Sequence, residues 1–200
     1  MAQRDTLDVD VLIVGGGPAG LAAAYHLRQR NKDLSIAVLE KGKEIGAHII
    51  SGAVMDPRGI ADLMPDWKEK GAPIENPVDE DHVLFLTRQR KFGLPIVPPP
   101  LQNHGNYIIS LNKFTRWLGQ HVEQSGVDLF AGFAGSELLI EGDRVIGVRT
   151  GDRGIDKAGN PKGNFEPGID IHESQDVRAT RYLQPQAHDP QLRDDGAAPF

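Results

Sequence analysis

Residues 8–20 read Asp-Val-Asp-Val-Leu-Ile-Val-Gly-Gly-Gly-Pro-Ala-Gly, and this stretch limits the fold more than any other. Val9, Val11, Leu12, Ile13 and Val14 form an apolar, β-branched run of the kind found in a strand buried within a parallel sheet. Gly15, Gly17 and Gly20 follow at G-x-G-x-x-G spacing, with Gly16, Pro18 and Ala19 between them. An alanine-rich helical run, Ala19 to Leu27, comes directly after. Each glycine of the triplet answers a steric demand. The first permits a tight turn out of the strand, the second lets the backbone approach a pyrophosphate, and the third lets the helix pack on the strand. The unpaired N–H groups at the helix start, together with the helix dipole, favour the negative charge of phosphates.

The context strengthens a motif that is weak alone. A second strand, Leu34 to Leu39, ends in Glu40, twenty residues after Gly20, where a carboxylate accepts hydrogen bonds from a ribose diol. The blander alternative is a glycine-rich turn with Glu40 as a solvated strand end. It does not account for strand, glycines, helix and acid occurring in order. An acid rather than an arginine after the second strand argues against a 2′-phosphate, and so against NADP. The expected fold class is α/β, a Rossmann-like dinucleotide-binding domain.

Composition narrows the function classes. A formal charge of −6 over 200 residues, with a pI near 5.6, gives no support for a nucleic-acid partner. The absence of cysteine excludes disulfides, a thiol nucleophile and thiolate ligation of an iron–sulfur cluster by this chain. Met1 to Leu7 are polar, with no apolar signal-peptide core and too few residues for a transit peptide. No run approaches the length of a membrane span. The expectation is a cytoplasmic protein, or one attached peripherally to a membrane surface.

Lys41 to Gly52 contains three glycines among small and polar residues, and reads as a loop lying close to a ligand. Asp56-Pro57 predicts a helix start, with the helix running to about Leu63. Gly71 to Asp81 reads as a connector, Val83 to Leu86 as a short apolar strand, and Thr87 to Lys91 as a basic turn. Phe92 to Leu101 is apolar, yet its prolines forbid a helix or a central strand. It is either a polyproline segment packed on the surface or an exposed apolar tongue with a basic rim, suited to a membrane interface or a lipid-like substrate.

Tyr107 to Leu111 predicts a strand and Asn112 a helix cap. Phe114, Trp117, Leu118, His121 and Val122 share one helical face, with His121 a core or boundary residue, and Ser125-Gly126 ends the helix. Val127 to Phe130 follows as a third parallel strand. Leu138 to Ile140 and Val145 to Val148 form a hairpin, Gly151 to Gly168 a long loop or ragged hairpin, and Ile169 to His172 one more strand. Residues 173–200 have almost no apolar periodicity and read as a disordered tail.

The span from about Asp8 to His172 resembles the N-terminal part of the electron transfer flavoprotein–ubiquinone oxidoreductase family. The resemblance is carried by Gly46-Ala47-His48-Ile49-Ile50-Ser51-Gly52-Ala53-Val54-Met55-Asp56-Pro57 and by the run from Leu94 to Pro100. Asn103-His104-Gly105-Asn106-Tyr107, Gly154-Ile155-Asp156-Lys157 and Phe165-Glu166-Pro167-Gly168 add to it. It implies a glutathione-reductase-type FAD-binding domain over residues 1–172, with an inserted β-rich, proline-rich segment at 83–106. It implies that Gly15, Gly16, Gly17, Pro18, Ala19, Gly20, Glu40 and Lys41 hold FAD, with His48 and Ser51 near the flavin. It also implies electron transfer from electron transfer flavoprotein, through FAD and a [4Fe-4S] cluster, to ubiquinone. The setting would be the cytoplasmic face of the inner membrane in a bacterial-type protein. Phe92, Leu94, Ile96, Val97 and Leu101 would meet the membrane.

After Ile171-His172 the sequence departs from the family, and the residues from about Ser174 read as an aberrant ending. Electron transfer requires no side-chain acid or nucleophile, so no catalytic residue is expected. Two alternatives stand beside this reading. One is a related flavin reductase or hydroxylase acting on an apolar, isoprenoid-like substrate. The other is a truncated, non-catalytic product.

Overall fold

The structure, a computed structural model, describes residues 4–155 and 160–173. The expected disordered tail therefore lies outside the described residues, apart from Glu173, which ends a strand.

A parallel three-stranded sheet forms the centre, in the order β2 (Val11–Val14), β3 (Ile36–Glu40), β9 (Asp128–Ala131). β3 lies in the middle, and its apolar run is buried throughout. Its side chains alternate between two cores, as strand geometry requires. Ile36 and Val38 join one core, and Ala37 and Leu39 the other.

Two long helices cover the first face. α1 (Pro18–Arg30) is alanine-rich, begins with proline in its first turn and ends with Arg28 and Arg30, favourable for the dipole. The Arg28 guanidinium donates to the Ser125, Lys32 and Leu34 carbonyls, tying the end of α1 to the end of the second long helix. That helix, α3 (Leu111–Gln124), buries Phe114, Trp117, Leu118 and Val122 on the expected face. His121 is half-buried and meets the Trp117 ring edge-on, as a boundary residue. The short α2 (Arg58–Leu63) adds Ile60 to the same core. An antiparallel sheet closes it, with β8 (Tyr107–Ile109) between β4 (Ala53–Met55) and β5 (Ile74–Pro77).

The second face is covered by a four-stranded sheet in the order β1 (Thr6–Val9), β14 (Asp170–Glu173), β11 (Arg144–Thr150), β10 (Gly135–Glu141). Two exposed hairpins project from this body. One joins β6 (Leu84–Leu86) to β7 (Lys91–Gly93), and the other joins β12 (Arg153–Ile155) to β13 (Pro161–Glu166).

Four local expectations change. Val9 does not continue into Val11–Val14. The chain turns at Asp10, where the Asp10 carboxylate accepts from the Ser35 amide and hydroxyl, and β1 joins the second sheet, pairing in parallel with β14. Ser110, not Asn112, caps α3, its hydroxyl accepting from the Lys113 amide. Asp56 does accept from the Arg58 amide, but the helix begins one residue after Pro57. Part of the predicted 71–81 connector is strand β5, whose last residue is Pro77. A proline is tolerated there because β5 is an edge strand.

Candidate functional site

The carboxyl ends of β2 and β3 meet at the glycine turn. Gly15 has a φ of 117°, a conformation that only glycine adopts readily, and its amide donates to the Leu39 carbonyl at 2.7 Å. The turn is therefore pinned to the neighbouring strand as it leaves the sheet. A Cβ at Gly20 would lie 2.0 Å from the Gly15 carbonyl oxygen, so the absence of a side chain there allows α1 to sit against the turn. Gly17 occupies the cap position of α1 with extended backbone and no side-chain cap, and the first turn holds no acid. Nothing lies within 4 Å of where a Gly17 Cβ would be. The orphan N–H groups of the helix start thus face an open position suited to an anion.

Glu40 holds the turn from the β3 side. One carboxylate oxygen accepts from the Gly16 amide at 3.0 Å and the other from the Gly42 amide at 2.6 Å. Each oxygen keeps a further lone pair, enough for the two hydroxyls of a ribose. The Glu40 side chain is only 14% exposed, and the His48 Nδ1 lies 3.8 Å from it. Glu40 thereby fixes both the glycine turn and the start of the following loop. His48 is brought to the same carboxylate. Lys41 follows it on the surface. Ser51 lies at the start of α3, its hydroxyl donating to the Ser110 hydroxyl at 2.7 Å.

The donors and the open space fit a dinucleotide cofactor. At the helix start Gly17, Ala19 and Gly20 carry backbone amides of the kind a pyrophosphate accepts from, and Glu40 keeps acceptor capacity of the kind a ribose diol uses. Among the described residues no cluster of His, Asp and Glu could hold a metal ion. Without cysteine, the chain does not fit a thiolate-held iron–sulfur cluster.

The residues that sequence reasoning missed lie on α3 and in the loop. Asn112 donates to the Gly46 carbonyl, Arg116 pairs with Glu44 at 3.0 Å, and the buried Gly119 faces Ile45. A glycine in a helix interior was the available signal, since it usually marks close packing.

The expected membrane residues lie on and after the β6–β7 hairpin. Phe92, Leu94, Ile96 and Leu101 are exposed, Ile96 by 76%. Val97 is half-buried and departs from the expectation, because the chain after it turns through a short 3-10 segment (Pro99–Leu101) and the Val97 carbonyl accepts from Gln102. Leu84, Phe85 and Leu86 are also exposed, Phe85 by 67%. Phe85 and Phe92 sit opposite each other in the hairpin.

These features define the class first: a nucleotide-binding, Rossmann-type α/β protein. Residues 13–78 match the family model described as NAD(P)-binding Rossmann-like domain. The particular kinship is narrower. The chain is 49% identical over 175 residues to the mitochondrial electron transfer flavoprotein-ubiquinone oxidoreductase of Arabidopsis thaliana, covering 85% of this chain and 27% of that protein. It is 48% identical over 179 residues to the probable electron transfer flavoprotein-ubiquinone oxidoreductase of Acinetobacter baylyi, covering 85% of this chain and 31% of that one. The chain is thus a homologue of these oxidoreductases and spans less than a third of their length. In fold it is similar to a geranylgeranyl bacteriochlorophyll reductase-like protein from Thermoplasma acidophilum, with a TM-score of 0.58 and 22% identity, covering 84% of this chain and 38% of that one.

Proposed function

We propose that residues 1–172 are the N-terminal portion of an FAD-binding domain, with residues 83–106 as an insert. The domain would belong to an oxidoreductase that takes electrons from reduced electron transfer flavoprotein and delivers them to ubiquinone. The observation that carries the reading is the Glu40 carboxylate bound to the Gly16 amide beside the uncapped start of α1. The identity to the named oxidoreductases supports it. FAD supplies the reversible uptake and release of electrons. The chain's residues bind and orient it. Gly15, Gly16, Gly17, Pro18, Ala19 and Gly20 face the pyrophosphate, Glu40 and Lys41 the ribose, and the loop with His48 and Ser51 the flavin side. No step passes through an iron–sulfur cluster here, because this chain offers it no thiolate.

The exposed apolar residues of the β6–β7 hairpin support a membrane-facing role, and the proposed setting is peripheral, on the cytoplasmic face of the inner membrane. A two-stranded hairpin has no core of its own, and this one, with Ile96 just after it, presents Phe85 and Phe92 along with Arg88, Arg90 and Lys91. Basic residues near an anionic surface contribute about 1 kcal/mol each. No helix among the described residues is long and apolar enough to cross a membrane.

The test is reconstitution. The chain is refolded with FAD, and flavin-fluorescence quenching is titrated with NADH as competitor. Tight FAD binding resistant to NADH is expected. A chain that takes up no flavin yet binds NADH overturns the reading.

A further inference from the structure

The loop from Lys41 to Gly52 has no regular structure, yet α3 holds it at several points. The Asn112 amide donates to the Gly46 carbonyl, Arg116 pairs with Glu44, and Ser51 donates to the capping residue Ser110. Gly46 adopts a φ of 81°, and a Cβ there would meet the Asn112 carbonyl at 3.1 Å. Between Glu44 and Gly46 stands Ile45, wedged between two glycines. A Cβ at Gly16 would lie 2.6 Å from the Ile45 Cδ1. A Cβ at Gly119 would lie 3.0 Å from the Ile45 Cγ2. Gly16 belongs to the phosphate turn, and Gly119 lies buried in α3.

Glycine is unfavourable inside a helix, and α3 otherwise has an ordinary amphipathic pattern. The notch at Gly119 is explained by the side chain seated in it. Glu40 grips Gly16 through one hydrogen bond, and Ile45 closes on the same residue through van der Waals contact. The turn's position is therefore set from two sides, one by β3 and one by α3.

We propose that Ile45, seated in the Gly119 notch and held there by Asn112, is a positioning residue that sets where Gly16 presents its part of the phosphate turn. Helix α3 thereby controls cofactor affinity without touching the cofactor. The proposal rests on the FAD reading for its ligand but not for its geometry. Packed interiors transmit small displacements, so an extra methyl at Gly119 passes through Ile45 to Gly16.

The test uses the full chain with Gly119→Ala, Ile45→Val, the two combined, and Asn112→Ala. Two readouts are taken: FAD affinity, and amide exchange at Gly16 and Gly42, whose N–H groups bond Glu40. Gly119→Ala is expected to weaken FAD about fivefold or more and to speed exchange at both glycines by a similar factor, as a forced shift of packed groups requires. Ile45→Val removes the Cδ1 that faces Gly16, so the combined variant is expected to recover most of both losses. Asn112→Ala is expected to speed the same exchanges, and it serves if Gly119→Ala does not fold. Unchanged exchange in Gly119→Ala and Asn112→Ala, or no recovery in the combined variant, overturns the proposal. Acceleration that includes the core amide of Val38 equally reports lost stability and also overturns it. If the wild-type chain binds no FAD, the FAD reading fails and the exchange data still decide the positioning role.

Discussion

Gly17 and Gly20 stand three residues apart, and substituting them is expected to weaken FAD binding in both cases but to differ in its effect on stability. A Gly20→Ala Cβ would lie 2.0 Å from the Gly15 carbonyl oxygen and 3.2 Å from the Ile13 Cγ2. Carbon and carbonyl oxygen approach no closer than about 3.3 Å, so α1 and the turn must separate by more than an ångström. Overpacking of this kind costs about 1–3 kcal/mol, and backbone on both sides puts it at the upper end. Replacing glycine by alanine in a helix returns about 1 kcal/mol. The net expectation is a loss of about 1–2 kcal/mol together with weakened FAD binding.

Gly17→Ser differs. The site has open space, φ is −78° and ψ 176°, and serine is a favoured cap for amides that no side chain caps here. Stability is expected to stay level or rise by a few tenths of a kcal/mol, while FAD affinity falls at least about tenfold. The serine hydroxyl takes the amides, and its Cβ takes the space, that the pyrophosphate requires. Urea unfolding followed by the fluorescence of Trp67 and Trp117, both buried, measures the first effect, and flavin titration the second. A Gly20→Ala protein as stable as wild type would refute the packing argument. A Gly17→Ser protein that binds FAD normally would refute the placement of the phosphates.

Asp170 accepts two hydrogen bonds from Arg149 at 2.8 Å each, which holds its carboxyl below the usual range. A lowered pKa adds stability that is present above the unfolded value of about 3.9 and lost as pH falls through the folded one. Asp170→Asn is therefore expected to lower the melting temperature at pH 6 and to converge with wild type as pH falls through the lowered folded value, as thermal unfolding across pH will show. Ile171 is fully buried in the second core, and Ile171→Ala is expected to cost about 2–5 kcal/mol in urea unfolding. Flotation with anionic vesicles is expected to fall for Phe85→Ser combined with Ile96→Ser and in high salt, with FAD binding intact. Equal flotation of wild type and variant would make the hairpin a packing surface for other protein.

Local pattern carried much of the architecture. The continuous apolar run of β3, the glycine spacing with Glu40 after it, and the apolar face of α3 are each local patterns, so neighbours along the chain suffice to reveal them. The candidate phosphate turn was legible because it needs glycine at fixed spacing. Other features were settled only by residues far apart in sequence. The turn at Asp10 depends on Ser35, which takes β1 out of the parallel sheet. Asn112 left the expected capping role because Gly46 offered its carbonyl, and Ser110 took the cap. The wedge of Ile45 between Gly16 and Gly119 joins a turn, a loop and a helix more than a hundred residues apart from end to end. Periodicity records which face of an element is apolar. It does not record which distant side chain fills the space a glycine leaves, because that is fixed only when the packed elements bring the two together.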